Sequence, residues 1–313
     1  MKKLKFIICI AILVAMSCSS QNSEQFISLF NGKDFTNWKL TREGAFEVID
    51  GEMVTRSVGN GFDIYSDKWY GNFILRFEFL LSEIGNSGVF IRCIPGEMYF
   101  TEGVEVQLLA PWTPWRDDLH CTGSLYAHVA VQNRPDETTG IWHKMEIICD
   151  RNLVTISIND QVTTYVSVDT VATMAGFPYY GAIGFQGNHS NKKPDQFAKF
   201  RSIYIRDLDD EPDYVIKGFY EENEQLRKLA INAAVNLGKQ MIQPLAEMLY
   251  DDHPGAVDCA KQALFDIVAQ VSDPGTPSRE KREVQRELGR TIKHSSSEKI
   301  KEHLRWLSGM IKS

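Results

Sequence analysis

The chain is expected to fold as a two-sheet β-sandwich followed by a small all-α module, and three features of its 313 residues predict this. Residues 26–206 are built of short runs rich in Val, Ile, Phe and Tyr that alternate with polar residues and are broken by Gly, Asn and Asp. No strand–helix alternation occurs there, which argues against a parallel α/β sheet. Beyond about residue 214 the apolar spacing changes from two to that of a helix.

The clearest strand is Phe73–Leu81, in which Phe73, Leu75, Phe77, Phe79 and Leu81 are apolar while Arg76 and Glu78 take the other face. Turn signals punctuate the region at Asp50-Gly51, Gly59-Asn60-Gly61 and Asn159-Asp160. Many short strands with one apolar face imply two stacked antiparallel sheets. The acidic stretch 207–213 (DLDDEPD) is expected to be a linker. After it, Leu229, Ala230, Ala233 and Leu237 share a helical face, and Cys259, Ala260, Ala263 and Ile267 repeat the pattern. A short helix over 242–250 lies between them, and two more helices are expected near 279–293 and 297–311. Small residues in an apolar stripe, repeated once per helix pair, suggest a HEAT-like module over 214–313. Such a module could recruit a protein partner or serve as a structural appendage.

The first residues are expected to be a targeting segment. Lys2, Lys3 and Lys5 precede an apolar stretch, Phe6 to Met16, too short to span a bilayer of ~30 Å. Small residues then lead into Cys18, a pattern similar to a bacterial lipobox. The expected layout is a signal peptide over 1–17, lipid attachment at Cys18 and a polar tether over 18–25. This places the protein, lipid-anchored, in the bacterial cell envelope, with membrane contact through the anchor only.

The net charge is −7, from 34 basic and 41 acidic residues. Without Lys2, Lys3 and Lys5, 31 basic residues face 41 acidic ones, a net −10. An acidic chain with no basic block repels a phosphate backbone, so nucleic acid is not an expected partner. Four cysteines remain besides Cys9 and Cys18: Cys93, Cys121, Cys149 and Cys259, with no paired metal spacing. Export permits disulfides, but Cys93 and Cys149 fall on apolar strand faces, which suits buried thiols equally well.

Strand alternation also predicts a polar face. Val89, Ile91 and Cys93 point inward, which turns Phe90 and Arg92 outward; Val104, Val106 and Leu108 point inward, which turns Glu105 and Gln107 outward. If these strands share a sheet with Phe73–Leu81, then Arg76, Glu78, Phe90, Arg92, Glu105 and Gln107 converge. Such a surface suits a sugar, whose hydroxyls take hydrogen bonds while aromatic rings cover its C–H face. A plain solvated outer face would show the same pattern. The loop after Leu109 adds Trp112, Trp115 and His120, the tryptophans serving as packing anchors or as a sugar platform. His120 and His189 are loop histidines that gain interest only near Glu105.

Six ordered segments resemble one family: 29–39 (LFNGKDFTNWK), 70–78 (YGNFILRFE), 85–92 (GNSGVFIR), 103–109 (GVEVQLL), 122–126 (TGSLY) and 184–189 (GFQGNH). The chain is similar over 26–206 to the 3-keto-disaccharide hydrolases, also described as 3-keto-glucoside 1,2-lyase and 3-keto-2-hydroxy-glucal hydratase domains. The resemblance implies a concanavalin- or LamG-like jelly roll acting on 3-keto-glycosides. A ketone at C3 acidifies the C2 hydrogen; a base removes it, the C1 group leaves by β-elimination, and water adds to the enone. That route avoids the oxocarbenium-like transition state of ordinary glycosidases. It requires a base, charge stabilisation for the enolate and an acid for the leaving group. The resemblance makes Glu105 the candidate base and Arg92 the candidate for charge stabilisation, with His120 or His189 as acid or ligand to a divalent metal ion. Gln107, Arg76, Glu78, Asn86, Phe90, Trp112, Trp115 and Tyr126 are the expected sugar contacts. The sequence departs from the family where Leu109-Ala110-Pro111 stands in place of an Asp, and where Gln186-Gly-Asn-His-Ser190 replaces a Gln-Asp-His-Gly motif. Two other functions fit the same residues: a non-catalytic carbohydrate-binding lipoprotein, or a scaffold that uses its helical module.

Overall fold

The computed structural model describes residues 25–56, 63–95, 103–114, 116–187 and 195–311. Thirteen strands are described: β1 (Ile27–Ser28), β2 (Trp38–Leu40), β3 (Phe46–Ile49), β4 (Glu52–Thr55), β5 (Asp63–Tyr70), β6 (Phe73–Leu81), β7 (Asn86–Cys93), β8 (Val104–Leu109), β9 (His143–Asp150), β10 (Leu153–Ile158), β11 (Gln161–Ser167), β12 (Gly181–Gln186) and β13 (Ala198–Asp207). They form two antiparallel sheets. One has eight strands in the order β11-β10-β9-β6-β13-β4-β3, with β1 added beside β13; the other has five, β2-β5-β12-β7-β8.

Turn chemistry sets two of the hairpins. Asp50 (φ 51°) and Gly51 (φ 81°) join β3 to β4 with Ile49 opposite Glu52, and Asn159 (φ 48°) and Asp160 (φ 64°) join β10 to β11 with Ile158 opposite Gln161. Two residues of positive φ match the right-handed twist of the paired strands, which is why Asn, Asp and Gly occupy these corners. The Gly59-Asn60-Gly61 signal lies outside the described residues.

The core forms where the sheets' inner faces meet. Phe73, Leu75, Phe77, Phe79 and Leu81 are all buried, as their alternation predicts. Phe77 of β6 meets Phe185 of β12 edge-on at 5.5 Å, and Phe185 meets Phe200 of β13 at 4.5 Å, so these rings stitch one sheet to the other. Burying each such ring is worth roughly 1.5–3 kcal/mol. Cys93, Cys121, Cys149 and Cys259 are free and buried. Burial pushes the Cys93 thiol up to about 12 and the Cys149 thiol up to about 11.

The helices are α1 (Pro212–Lys217), α2 (Glu224–Leu237), α3 (Ile242–Met248), α4 (Pro254–Ser272), α5 (Ser278–His294) and α6 (Glu298–Ser308). They share a second core built on Ala230, Ala233, Leu245, Ala260, Ala263, Leu264, Ile267, Leu288 and Leu304. Leu229 and Leu237 are only half-buried at its margin. Among the described residues no helix is long and apolar enough to cross a membrane.

The acidic stretch expected as a linker is instead a folded joint. It makes a 3₁₀ turn, Leu208–Asp210, and enters α1. Asp209 accepts hydrogen bonds from the Asn72 backbone N–H (2.9 Å) and Nδ2 (2.8 Å), and Lys68 lies 2.7 Å from Asp207. Tyr214 donates to Asp150 (2.5 Å) and Arg151 pairs with Glu221 (2.8 Å). These acidic residues cap the end of the sandwich because that end presents the Asn72 backbone N–H and two cations, Lys68 and Arg206.

Candidate functional site

The outer face of the five-stranded sheet carries the densest group of buried polar side chains. Residues directly opposite on neighbouring strands share a face, so the register defines rows. Tyr65 on β5 faces Gly184 on β12, Gly184 faces Phe90 on β7, and Phe90 faces Glu105 on β8. In the adjoining row Asp63 faces Gln186, and Gly88 faces Gln107. Two glycines make room. A Cβ at Gly88 would stand 2.2 Å from Glu105 Oε1, so the Glu105 carboxyl leans over bare backbone there. A Cβ at Gly184 would stand 2.7 Å from the Tyr65 ring, which lies across it.

Glu105 is 4% exposed and accepts a hydrogen bond from Gln186 Nε2 at 2.7 Å. Burial, then the nearby Asp63 carboxylate, push its carboxyl up to about 8 against that hydrogen bond. Asp63 accepts from the Gly187 N–H (3.0 Å) and the Tyr65 hydroxyl (3.3 Å), yet burial still raises it to about 6. Gln186 is 3% exposed, and among the described residues its Oε1 has no hydrogen-bond partner. A buried carbonyl without a donor is costly, by roughly 1–3 kcal/mol. It is an open acceptor beside two carboxyls of raised pKa, the pattern expected where a ligand supplies the missing donor.

The segment 122–126 runs along the free edge of β8. Gln107 N–H donates to Ser124 O, Gly123 N–H to Gln107 O, and Tyr126 N–H to Glu105 O, at 2.9–3.0 Å. This pairing covers an edge strand and brings Tyr126 beside Glu105. Burial, then Glu105 and Asp117, raise the Tyr126 phenol. Its ring meets His120 edge-on at 5.0 Å, and His120 Nδ1 lies 2.7 Å from Asp117. Tyr126 thus stands between the Glu105 strand, which it meets through its backbone, and the half-buried His120 imidazole, which it meets through its ring.

Several expected site residues lie elsewhere. Arg76 and Glu78 sit on β6, in the opposite sheet, where Arg76 pairs with Glu146 (2.6 Å) and Glu78 with Arg201 (2.8 Å). Alternation predicted their outward direction correctly, but the chain changes sheet between β6 and β7. Arg92 is also displaced. Its φ of +53° and the register slip between Ala182 and Gly184 mark a bulge, which reverses the alternation at the end of β7. Cys93 consequently joins Phe90, Tyr65 and Ala182 on the outer side. The Arg92 guanidinium instead donates to Gly71 O (2.7 Å), Arg151 O (2.7 Å) and Asn72 Oδ1 (3.4 Å), bracing the end of the sandwich. It is a structural cation, not a neighbour of Glu105.

The remaining positions are mixed. Gln107 Nε2 donates to Asn86 Oδ1 (3.1 Å), which puts Gln107 one row and Asn86 two rows from Glu105 along the same face. Phe90 is fully buried and stacks on Tyr65 at 5.9 Å, so it forms the floor rather than an open platform. Trp112 is 46% exposed. Leu109 and Ala110, where the family carries an Asp, are buried and apolar. Trp115, His189 and Cys18 lie outside the described residues. Among the described residues no group of three or more His, Cys, Asp or Glu is arranged to hold a metal ion. Asp63, Tyr65 and Gln186 were not anticipated. The alternation of Ile183 and Phe185 already turns Gln186 outward, but Asp63 and Tyr65 lie in a strand too irregular to read.

Known proteins agree with this architecture. The sequence profile of the 3-keto-alpha-glucoside-1,2-lyase-like domain matches residues 25–206. Two crystal structures of candidate glycosyl hydrolases from Parabacteroides distasonis ATCC 8503 superpose with a TM-score of 0.52 at 23% identity. Each covers 59% of this chain, and 95% and 100% of their own lengths are matched. At that identity the likeness concerns the fold. No curated protein sequence matches the chain.

Proposed function

We propose a function from one premise, that the chain belongs to the 3-keto-alpha-glucoside-1,2-lyase-like family: it cleaves 3-keto-glycosides by elimination, with Glu105 as the base. The observation that carries this reading is the Glu105 carboxyl, buried, held by Gln186 and raised to about 8. A carboxylate of raised pKa is a stronger base than one in water, and a C2 hydrogen beside a ketone is acidic enough to need only that. Glu105 takes the C2 proton. The C2–H electron pair forms the C1–C2 double bond as the C1–O bond breaks, and the leaving oxygen is protonated. Water then adds to the enone, restoring a 3-keto-sugar. His120, reached through Tyr126, is the candidate acid, and the open Gln186 Oε1 is the acceptor for a substrate hydroxyl. Gln107 and Asn86, one and two rows along the same face, supply further polar contacts.

The same reading includes a jelly-roll classification for the sandwich, a HEAT-like one for the helices, and attachment to the cell envelope through Cys18. The test of function is turnover of a 3-keto-glycoside against pH. Glu105 must be ionised to act, so the rate should rise with pH through about 8. Glu105→Gln should lower it by roughly 10²–10⁴-fold with little change in binding. Full activity in that variant would transfer the role of base to another residue. Glycan binding without any turnover in the native protein would favour a carbohydrate-binding lipoprotein.

A further inference from the structure

A second concave surface lies where the sandwich meets α2. The cleft is about 370 Å³ in volume. One wall is aromatic: Trp69 of β5 and Tyr180, just before β12, with ring centroids 5.9 Å apart and planes at 54°. Both are exposed, at 36% and 43%. The facing wall is one side of α2, formed by Leu229, Asn232, Ala233 and Asn236, at the i, i+3, i+4 and i+7 spacing of a helix face. Asn232 and Asn236 are exposed, and no side-chain hydrogen bond occupies either amide among the described residues.

We propose that this cleft is an accessory carbohydrate site for a neutral pyranose unit, separate from the Glu105 site. A pyranose offers an apolar C–H face and a rim of hydroxyls; the rings of Trp69 and Tyr180 suit the first, and the two amides, each donor and acceptor, suit the second. Charge selects against acidic sugars. Among the described residues Lys68 is the one cation lining the cleft, and it is already engaged, 2.7 Å from Asp207 and 3.3 Å from Asp210. Asp209 is spent on Asn72. A uronate or sulfated unit would meet three carboxylates against one cation.

The cleft is distinct from the candidate active site yet on the same side of the molecule. Trp69 faces Ala182, two residues along β12 from Gly184, whose row contains Glu105. One row along and three strands across amounts to roughly 15 Å. A short oligosaccharide spans that distance, so the site would hold a glycan chain near Glu105 without touching the reacting unit.

The test uses the full chain and titration calorimetry with gluco-, manno- and galacto-configured neutral tetrasaccharides, and tetragalacturonate as the acidic probe. At least one neutral probe should bind saturably, and tetragalacturonate should not. Trp69→Ala should weaken binding roughly tenfold or more, the loss of one stacking partner, while Trp69→Phe should retain most of it and guard against misfolding. Glu105→Gln should leave binding at this cleft unchanged, and Trp69→Ala should leave turnover of a 3-keto monoglycoside unchanged. These two arms separate failure of the accessory site from failure of the proposed chemistry. Absence of binding to every neutral probe, undiminished affinity in a Trp69→Ala, Tyr180→Ala double variant, or equal affinity for tetragalacturonate would overturn the proposal.

Discussion

Replacing Glu105 by glutamine should stabilise the protein in alkaline solution while removing its chemistry. The Glu105 carboxyl ordinarily titrates at 4.5 and in the folded chain at about 8. Below 4.5 it is protonated in both states and has no effect on stability. As pH rises from there to about 8, the unfolded chain releases the proton and the folded chain keeps it, so the folded state binds more protons and stability falls. Above about 8 both are ionised and the full penalty remains. At 1.36 kcal/mol per pH unit the penalty has an upper bound of about 5 kcal/mol. Glutamine carries no charge to desolvate, but its amide must find donors and acceptors of its own. About 2–4 kcal/mol of net stabilisation at pH 8.5 is therefore expected, a rise in melting temperature of roughly 4–10 °C. Native and variant proteins should be melted at pH 5 and at pH 8.5, with turnover measured alongside. The gain should be small at pH 5 and large at pH 8.5. An equal gain at both pH values, or a variant less stable than the native protein at pH 8.5, would show that Glu105 is not held as a desolvated acid.

Three further outcomes test other parts of the structure. Gly88→Ala should displace the whole Glu105 side chain, because the added Cβ would lie 2.2 Å from Oε1 and 2.8 Å from both Cγ and Cδ. It should cost about 1–3 kcal/mol in denaturant unfolding and abolish most turnover; a variant with native activity would show the cradle to be unnecessary. Arg92→Lys should destabilise by roughly 2–3 kcal/mol, since an ammonium cannot reproduce the fork to Gly71, Arg151 and Asn72. The folded fraction should keep its kcat, and a hundredfold loss of kcat with unchanged melting would place Arg92 at the reacting centre after all. A chain of residues 25–206 should melt roughly 5 °C below one of residues 25–211, because only the longer one retains Asp209 on Asn72 and Glu211 on Arg206. Equal melting temperatures would make 207–211 a passive connector.

The sandwich and the helical module were legible because each depends on a local period. Phe73, Leu75, Phe77, Phe79 and Leu81 announce a buried strand face without reference to any other strand, and Asp50-Gly51 and Asn159-Asp160 announce their hairpins through backbone conformations few other residues accept. Glu105 and Gln107 could be placed on an outward face for the same reason. Which sheet a strand joins is not local: Arg76 and Glu78 read identically to Glu105 and Gln107, and only strand order separates them by the thickness of the molecule. One positive φ at Arg92 undid an alternation that held for the six residues before it, and turned a cation expected beside the carboxyl onto Gly71, Arg151 and Asn72 instead. Local period and motif order were enough for the two modules, the direction of each regular strand's faces and the family. Only strand order brought Asp63 and Gln186 to the Glu105 that leans over Gly88, because burial, and with it the raised pKa that makes a carboxyl useful as a base, arises when β5 and β12 are laid beside the β7–β8 pair.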